Sequence, residues 1–362
     1  MSIRVSIRKR LSRTFTLETE FETGDESGRC LGILGASGCG KSMTLKCIAG
    51  IESPDEGLIS INGRVLFDSS RKINLKPQVR RVGYLFQNYA LFPRMTVLEN
   101  IIAGLPGAYS RAEKARKALA WISQFGLLGL EDRHPAMLSG GQQQRAALAR
   151  MLIREPEAIL LDEPFSALDT NLREQMQIQM LEFLENRRDV ILVTHSRDEV
   201  FKLCGELLTM DAGRVLKKGA TRELFRNPGL VSVARLTGCK NISPIKRTGR
   251  EEIFALHWGL SLRTALPVGD AVTHVGIRAH DFAPAGAETR NRLTIAPIRR
   301  SEEPFEEVVL FTNAAARNAE ERHEIWWKYS TYLPYQEVTE LFIPPESLFL
   351  LRNEDPRRPA GN

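Results

Sequence analysis

The first two thirds of the chain alternate short apolar runs with longer segments in which apolar residues recur every three or four positions. The short runs predict buried strands at residues 30–34, 82–86, 158–161, 190–194 and 206–211. The longer segments predict helices after Lys41, Ser110, Gly140, Asn171 and Asp198. This alternation is typical of an α/β fold with a mostly parallel sheet and crossover helices.

The pattern changes beyond about Gly238, where short segments of alternating polar and apolar residues are separated by proline and glycine. These segments predict an all-β domain and lie at residues 252–256, 272–277, 306–311, 324–329 and 338–343. The N-terminus also alternates, at Ile3, Val5 and Ile7, which predicts a strand. We place a boundary near residues 235–240, which gives an α/β domain over 1–237, a β-rich accessory domain over 238–355 and a frayed tail over 356–362.

Composition agrees with two globular domains and removes several classes of protein. A length of 362 residues suits two domains, and 43% hydrophobic with 26% charged residues excludes disordered, collagen-like and disulfide-scaffold chains. The net charge of +6 comes from scattered basic residues, which argues against nucleic acid as a partner. Five cysteines without a CxxC pair suit a reducing cytoplasm. No run approaches the roughly 18 apolar residues of a membrane span.

A glycine-rich segment carries the first candidate chemistry. Residues 35–42 read Gly-Ala-Ser-Gly-Cys-Gly-Lys-Ser and match GxxxxGK[ST] between a predicted strand and a predicted helix. Glycines let backbone N–H groups turn towards phosphates, and the helix N-terminus adds its dipole. Lys41 would neutralise the β- and γ-phosphates, and the Ser42 hydroxyl would bind Mg²⁺.

An acidic pair follows the predicted strand at residues 158–161. Asp162 is placed to hold the Mg²⁺ shell, and Glu163 is then free to orient and deprotonate an attacking water. Taken alone, such a pair is more often a solvated strand end. Its combination with the Lys41 loop makes a catalytic element the better interpretation.

A second anion-binding helix N-terminus is predicted near residue 139. Ser139 is a good N-cap, and Gly140 and Gly141 leave the following backbone amides bare before Gln142. One nucleotide does not need two such sites from one chain. The economical arrangement is a head-to-tail dimer in which this segment closes on the partner's γ-phosphate.

Together with Gln87, the segment Ser166-Ala167-Leu168-Asp169 and His195, these motifs resemble those of the nucleotide-binding subunits of ABC transporters. The resemblance covers about residues 1–237 and implies a P-loop NTPase cassette with a helical subdomain at 88–138. It implies that Gln87 couples the γ-phosphate and metal to a permease, that Asp169 crosses the dimer interface and that His195 contacts the γ-phosphate. Without it, Gln87 would be a polar strand end and His195 a satisfied core histidine.

The resemblance and the motifs give a set of expected site residues. The expected catalytic residues are Glu163, His195 and Gln87, and the expected metal-binding residues are Ser42, Gln87 and Asp162. ATP is expected to contact Gly35, Ala36, Ser37, Gly38, Cys39, Gly40, Lys41, Ser42 and Met43, and also Ser139, Gly140, Gly141 and Gln142.

Two site assignments have alternatives. Phe15 is the candidate to stack on adenine, with Phe21 as the second choice, although both are equally suited to a core. Lys41 and the helix dipole are expected to favour the thiolate of Cys39. The alternative is that Cys39 is a small filler.

The resemblance extends to partners and substrate. Segments 66–77 and 80–93 resemble molybdate-type importer ATPases more than sugar-type ones, with sulfate-type relatives close, and residues 236–242 extend that resemblance past the cassette. Residues 276–280 resemble a segment of the small β domain found in many importer ATPases. This implies ATP and Mg²⁺, a homodimer, a transmembrane permease, indirectly an extracytoplasmic solute-binding protein, and a peripheral position on the cytoplasmic face of the membrane. The implied function is uptake of molybdate, or of tungstate or sulfate. The alternative is an importer for another small solute with a β domain that senses nothing.

Two other classes of ABC protein fit poorly. A DNA-repair or chromosome ATPase would need a long coiled coil between Gln87 and the segment at 138–142, and an ABC translation factor would carry two cassettes. In the β domain, Lys240, Asn241, Arg278 and His280 supply donors for a regulatory dianion. The alternative is that this domain only enlarges the dimer interface.

Overall fold

The computed structural model describes residues 2–23, 30–166, 168–184, 190–287, 289–316, 322–332 and 338–354. The chain forms two compact units, one built on Met1–Arg222 and the other on Glu223–Pro359. The division falls before the boundary predicted near residues 235–240. The reason is that Val231 and Ala234 of a short helix pack against Cys239 and Leu351 of the second unit.

One sheet of eleven strands organises the first unit. In chain order the strands are β1 (Ile3–Arg10), β2 (Thr16–Glu22), β3 (Leu31–Gly35), β4 (Glu56–Ile61), β5 (Arg64–Asp68), β6 (Ile73–Asn74), β7 (Val82–Leu85), β8 (Ala158–Asp162), β9 (Val190–Thr194), β10 (Glu206–Asp211) and β11 (Arg214–Ala220). Their order in space is β6-β5-β4-β1-β2-β11-β10-β3-β9-β8-β7. All five strands predicted from apolar runs are present.

The sheet is mixed rather than mostly parallel. The five predicted strands, β10, β3, β9, β8 and β7, run parallel to their neighbours in that order. Strands β1, β2, β4, β5 and β6 pair antiparallel with one another, β11 pairs antiparallel with β10, and β11 pairs parallel with β2. Short turns explain this half: Asn62 and Gly63 have φ of 50° and 77° between β4 and β5, as a two-residue hairpin turn of type I′ requires.

The five predicted helices are present and begin within two residues of the predicted positions. The helices of the described residues are α1 (Lys41–Ala49), α2 (Pro77–Arg80), α3 (Val97–Ala103), α4 (Arg111–Gln124), α5 (Gly140–Leu152), α6 (Thr170–Leu184), α7 (Arg197–Leu203), α8 (Thr221–Arg226) and α9 (Val231–Leu236). Helices α3, α4 and α5 each start with a capping box, which satisfies orphan N–H groups at the first turn. Among the described residues, no helix is long and apolar enough to cross a membrane.

Helices α3 and α4 lie within residues 88–138, where the resemblance predicts a helical subdomain, and share one hydrophobic cluster. Val97 and Ile101 of α3 pack with Ala118 and Ile122 of α4. Ala146 of α5 belongs to the same cluster. Helix α5 therefore connects this subdomain to the rest of the first unit, where α5 also contacts β7.

The second unit is built from two five-stranded sheets, in agreement with the predicted all-β pattern. The sheet β14-β13-β12-β15-β21 contains β12 (Asn241–Arg247), β13 (Glu252–Ala255), β14 (Leu260–Arg263), β15 (His274–Ile277) and β21 (Phe349–Leu351). The sheet β16-β20-β17-β18-β19 contains β16 (Ala283–Pro284), β17 (Arg292–Glu302), β18 (Glu306–Asn313), β19 (Ile325–Ser330) and β20 (Glu340–Phe342). Trp258, Phe311 and Trp327 are buried in their common core.

Candidate active site

The segment at residues 35–42 forms a tight loop between β3 and α1. Gly40 caps α1 with φ of 105°, and a Cβ there would lie 2.7 Å from Leu17 Cδ1, so only glycine fits. Lys41 Nζ donates to the carbonyl oxygens of Gly35 at 2.8 Å and Ala36 at 2.9 Å. The loop therefore wraps around a buried ammonium group at a helix N-terminus, as a phosphate-binding loop does.

The two predicted oxygen ligands, Ser42 and Asp162, lie in direct contact. Ser42 Oγ donates to Asp162 Oδ1 at 2.7 Å, and the Tyr84 hydroxyl donates to Asp162 Oδ2 at the same distance. Burial, and then the carboxylate beside it, raise the pKa of Tyr84, so its hydroxyl stays protonated. Asp162 is thus held at both oxygens, and Tyr84 is a partner that the motifs did not reveal.

Glu163 lies at the centre of the predicted catalytic group. Its Oε1 is 3.2 Å from His195 Nδ1, and its Oε2 accepts from Gln87 Nε2 at 3.4 Å. Strands β7, β8 and β9 end just before these three residues, and parallel strands bring their carboxyl ends to one edge of a sheet. The structure therefore brings Gln87, Glu163 and His195 together.

The backbone of Glu163 is held in an unusual conformation. Its φ is 47°, a left-handed value that is costly for a residue with a Cβ. Glu163 N–H donates to Val193 O at 2.9 Å, and Ser166 Oγ donates to Glu163 O at 3.0 Å. These bonds hold the backbone of Glu163 in its strained conformation and so fix the position from which its side chain extends.

A second set of bonds fixes the residues on either side of His195. Thr194 Oγ1 donates to Glu199 Oε2 at 2.6 Å, and Ser196 N–H donates to Thr194 Oγ1 at 3.0 Å. Glu199 N–H donates to Ser196 Oγ at 3.3 Å. Burial raises the pKa of Glu199. Sequence reasoning missed this set, although Ser196 and Glu199 have the spacing of a capping box.

The predicted second anion site begins α5. Ser139 N–H donates to Gln142 Oε1 at 2.9 Å, and Gln142 N–H donates to Ser139 Oγ at 3.3 Å. A Cβ on Gly141 would lie 2.9 Å from Leu172 Cδ1, so the glycine permits close packing of α5 on α6. Helix α5 follows Gly140 as the sequence predicts, but its cap is bonded within itself and not to the group around Glu163.

Similarity to known proteins identifies the family of this chain. A family profile described as ABC transporter matches residues 22–166. The sulfate/thiosulfate import ATP-binding protein CysA 2 of Chromobacterium violaceum is 38% identical over 261 residues, 72% of this chain and 69% of the relative. This chain belongs to the ABC transporter family. It is the ATP-binding subunit of an importer, and an ATPase.

Another relative of this importer subunit is named for a different transported solute. The Fe(3+) ions import ATP-binding protein FbpC of Haemophilus influenzae is 40% identical over 60% of this chain and 62% of the relative. Among solved structures, the dimeric post-hydrolysis state of the ATP-binding cassette MJ0796 bound to ADP and Pi has a TM-score of 0.51 and 28% identity. That likeness covers 61% of this chain and 99% of that one.

The two candidates for adenine stacking occupy different positions in the importer subunit. Phe21 is buried in the main core. Phe15 is half-buried, and its Cζ would lie 3.8 Å from a Cβ on Gly40. Phe15 therefore remains the candidate for stacking, and Met43 packs partly buried against the same core.

Burial and Lys41 act in opposite directions on the pKa of the Cys39 thiol. Cys39 is 4% exposed, and burial raises its pKa even though Lys41 Nζ, 4.0 Å from the sulfur, acts in the opposite direction. Burial therefore favours the filler interpretation, and the thiolate stays a prediction that labelling can test.

The predicted interface segment at residues 166–169 is described in part. Ala167 lies outside the described residues. Asp169 Oδ1 accepts from Leu172 N–H at 3.0 Å and so caps α6. Arg173 Nη2 donates to Leu168 O at 2.8 Å, which fixes the path of the chain beside Glu163.

Three of the four predicted anion donors in the second unit have other partners. Asn241 exchanges two bonds of 2.8 Å with the backbone of Trp326. Arg278 donates to Thr237 O and Phe225 O, and His280 Nε2 lies 2.9 Å from Glu306 Oε1. The predicted four-residue anion site is therefore not supported.

Proposed function

We propose that this importer subunit hydrolyses Mg²⁺-bound ATP in a head-to-tail dimer and so drives uptake of an oxyanion through a membrane permease. The observation that carries the proposal is the arrangement at the ends of β7, β8 and β9. There a carboxylate, an amide and an imidazole meet beside a loop that wraps Lys41. Such an arrangement fits positioning and electrostatic stabilisation of a transferring phosphoryl group.

The oxygen atoms around Ser42 suit Mg²⁺. A hydroxyl and a buried carboxylate at 2.7 Å are hard donors, which Mg²⁺ prefers, and they lie at the start of α1 beside the phosphate loop. Ser42 and Asp162 would therefore hold the ion, with Gln87 close by. When bound, the ion would neutralise the phosphate oxygens.

Glu163 is proposed as the general base. Its side chain is 19% exposed, so water reaches it, while Gln87 and His195 fix the carboxylate from two sides. A carboxylate so held orients the attacking water and accepts its proton. Lys41 and the loop amides would bind the phosphates.

A second subunit is proposed to complete the site. Ser139, Gly140, Gly141 and Gln142 present a helix N-terminus, an anion site that nothing in the Glu163 group uses. The solved cassette similar to this chain is described as dimeric and bound to ADP and Pi. We therefore assign this segment to the γ-phosphate of the partner, and Asp169 to the interface.

The proposal of an oxyanion rests on how much of this chain each relative matches. The sulfate/thiosulfate relative aligns with 72% of this chain and this iron relative with 60%, and the longer likeness supports an oxyanion as the transported solute. Molybdate is the preferred member of the class because segments 66–77 and 80–93 resemble molybdate-type subunits. The subunit would act on the cytoplasmic face of the membrane, with a solute-binding protein delivering the anion to the permease.

Uptake by reconstituted transporter tests this proposal. Proteoliposomes that contain the subunit, its permease and its solute-binding protein are given ATP and labelled molybdate, sulfate or Fe³⁺. We expect ATP-dependent accumulation of an oxyanion and none with Lys41→Ala. Accumulation of Fe³⁺ alone would reject the oxyanion while retaining the ATPase.

A further inference from the structure

The second unit contains a groove that the proposed function does not use. It has a volume of about 470 Å³, and its lining includes Lys240, His257, Trp258, Arg322, His323 and Trp326. These residues come from three separate stretches of the chain. The groove therefore exists only because the fold of the second unit brings these stretches together.

Hydrogen bonds to the backbone fix the walls of this groove. His323 N–H donates to His257 O at 3.1 Å, which joins the two histidine segments. His257 N–H donates to Ser243 Oγ at 2.9 Å. The paired bonds between Asn241 and the backbone of Trp326 hold the third wall, next to Lys240. The lining side chains thus project from a rigid frame.

The charges of the lining favour an anion. Lys240 Nζ lies 3.9 Å from the centre of the Trp326 ring, and Arg322 adds a second permanent positive charge. The imidazoles of His257 and His323 are stacked, with ring centres 3.8 Å apart and planes 10° apart. Glu324 is the one carboxylate among the described lining residues. Two cations and two protonatable rings outweigh it.

The protonation of His257, and with it the charge of the groove, depends on whether an anion is bound. Burial, followed by the neighbouring His323 and His274, lowers the pKa of His257. Lys240 and Arg322 line the same groove and oppose a further positive charge, whereas Glu324 favours one. A bound anion would offset the repulsion and raise the pKa of His257. Anion and proton would then each strengthen the binding of the other.

We propose that this groove is a binding site for a small tetrahedral oxyanion, held by Lys240 and Arg322, and that binding favours a proton on His257, whose ring stacks on His323. Arg presents a planar fork of N–H groups and Lys a point charge, the usual combination for oxyanions. The site lies within one subunit. It is independent of the phosphate loop and of which solute the permease carries.

Equilibrium dialysis of labelled sulfate against the full-length protein tests the proposal. Saturating Mg-ADP is present throughout, because it occupies the phosphate loop, which would bind sulfate by itself. We expect one saturable sulfate site per chain, with affinity about tenfold higher at pH 6 than at pH 8, because a charge-assisted bond is gained at the lower pH. Labelled phosphate and molybdate test how strictly the site selects within the oxyanion class.

Variants connect the binding to this groove. Lys240→Ala and Arg322→Ala, both at exposed positions, should each weaken sulfate binding about tenfold at pH 6. The matched control, Lys246→Ala, removes an exposed lysine of β12 outside the lining and should change nothing. The double variant His257→Gln with His323→Gln should retain binding at pH 8 and lose the pH dependence.

Specific outcomes would overturn the proposal. It fails if no saturable site remains in the presence of Mg-ADP, or if Lys240→Ala and Arg322→Ala bind sulfate as the wild type does. Proton coupling fails if the double histidine variant keeps the tenfold pH dependence. Thermal melting of each variant, matched to wild type within a few degrees, excludes unfolding as the cause of lost binding.

Discussion

The active site of the first unit and the groove of the second unit are assembled in opposite ways. In the active site, the side chains bond to one another: Ser42 to Asp162, and Gln87 and His195 to Glu163. In the groove, the frame is made by bonds to the backbone, while the lining side chains of Lys240 and Arg322 are exposed. The first arrangement suits a fixed reaction geometry, and the second suits reversible capture of an ion.

The two regions also differ in how the chain builds them. Consecutive parallel strands deliver the active-site residues to one sheet edge, so short motifs beside strand ends suffice. The groove depends on pairing between distant stretches around His257 and His323. Changes at the strand ends should therefore affect hydrolysis strongly, and changes elsewhere should affect it weakly.

The largest effect is expected from Glu163→Gln. Loss of the general base should lower the steady-state rate of ATP hydrolysis by about two to four orders of magnitude, while nucleotide binding survives. Fluorescent nucleotide titration measures the binding separately. The control Glu56→Gln changes an exposed carboxylate of β4. A rate within threefold of wild type would remove Glu163 from the mechanism.

The next effect is expected at the tyrosine that holds Asp162. Tyr84→Phe frees Asp162 Oδ2, so the carboxylate turns more easily away from Ser42. We expect about a tenfold higher Mg²⁺ concentration for half-maximal tightening of ATP binding. Tyr89→Phe is the control, because its hydroxyl donates to Pro164 O and not to Asp162. Equal Mg²⁺ dependence in the two variants would show that Tyr84 does not position the carboxylate.

A smaller effect is expected from Thr194→Val, measured as stability. The change leaves buried Glu199 without its hydroxyl donor and should lower the free energy of unfolding by about 1–3 kcal/mol. Thr19→Val is the comparison, since Thr19 Oγ1 is buried without a partner among the described residues. That variant should be neutral or stabilising in denaturant titration. Equal losses in both would argue against a positioning bond at Thr194.

The smallest effect is expected for the reaction of Cys39 with maleimide. Because burial raises its pKa, the fraction of thiolate at pH 7 is below that of a free thiol, and maleimide should react slowly. The rate should continue to rise with pH above 9. Labelling followed by mass spectrometry, with Cys39→Ala as the control, checks this. Rapid labelling at pH 7 would support the thiolate interpretation.

The sequence predicts those site residues that belong to short local motifs. Lys41, Ser42 and Glu163 follow from a loop and a strand end, and their neighbours in space are set by parallel pairing. The hydrogen bonds of Tyr84 and Thr194 could not be predicted, because a single polar residue in an apolar run does not indicate which residue it contacts. Asn241 and Arg278 were misjudged for the same reason, since backbone carbonyls satisfy them. Of the antiparallel half of the sheet, the pattern predicts only the N-terminal strand, and the Asn62–Gly63 turn is the local signal that could have indicated the β4–β5 hairpin.

ATP hydrolysis by mixed dimers tests the central claim most directly, namely that each site joins the Lys41 loop of one subunit to the Ser139 segment of the other. One mixed dimer carries Lys41→Ala in one subunit and Ser139→Arg in its partner, which places both lesions at the same site. The other carries both changes in one subunit. We predict that the first keeps about half of the wild-type activity, with one intact site, and that the second is at least tenfold less active. Equal activity of the two at matched composition would contradict the account.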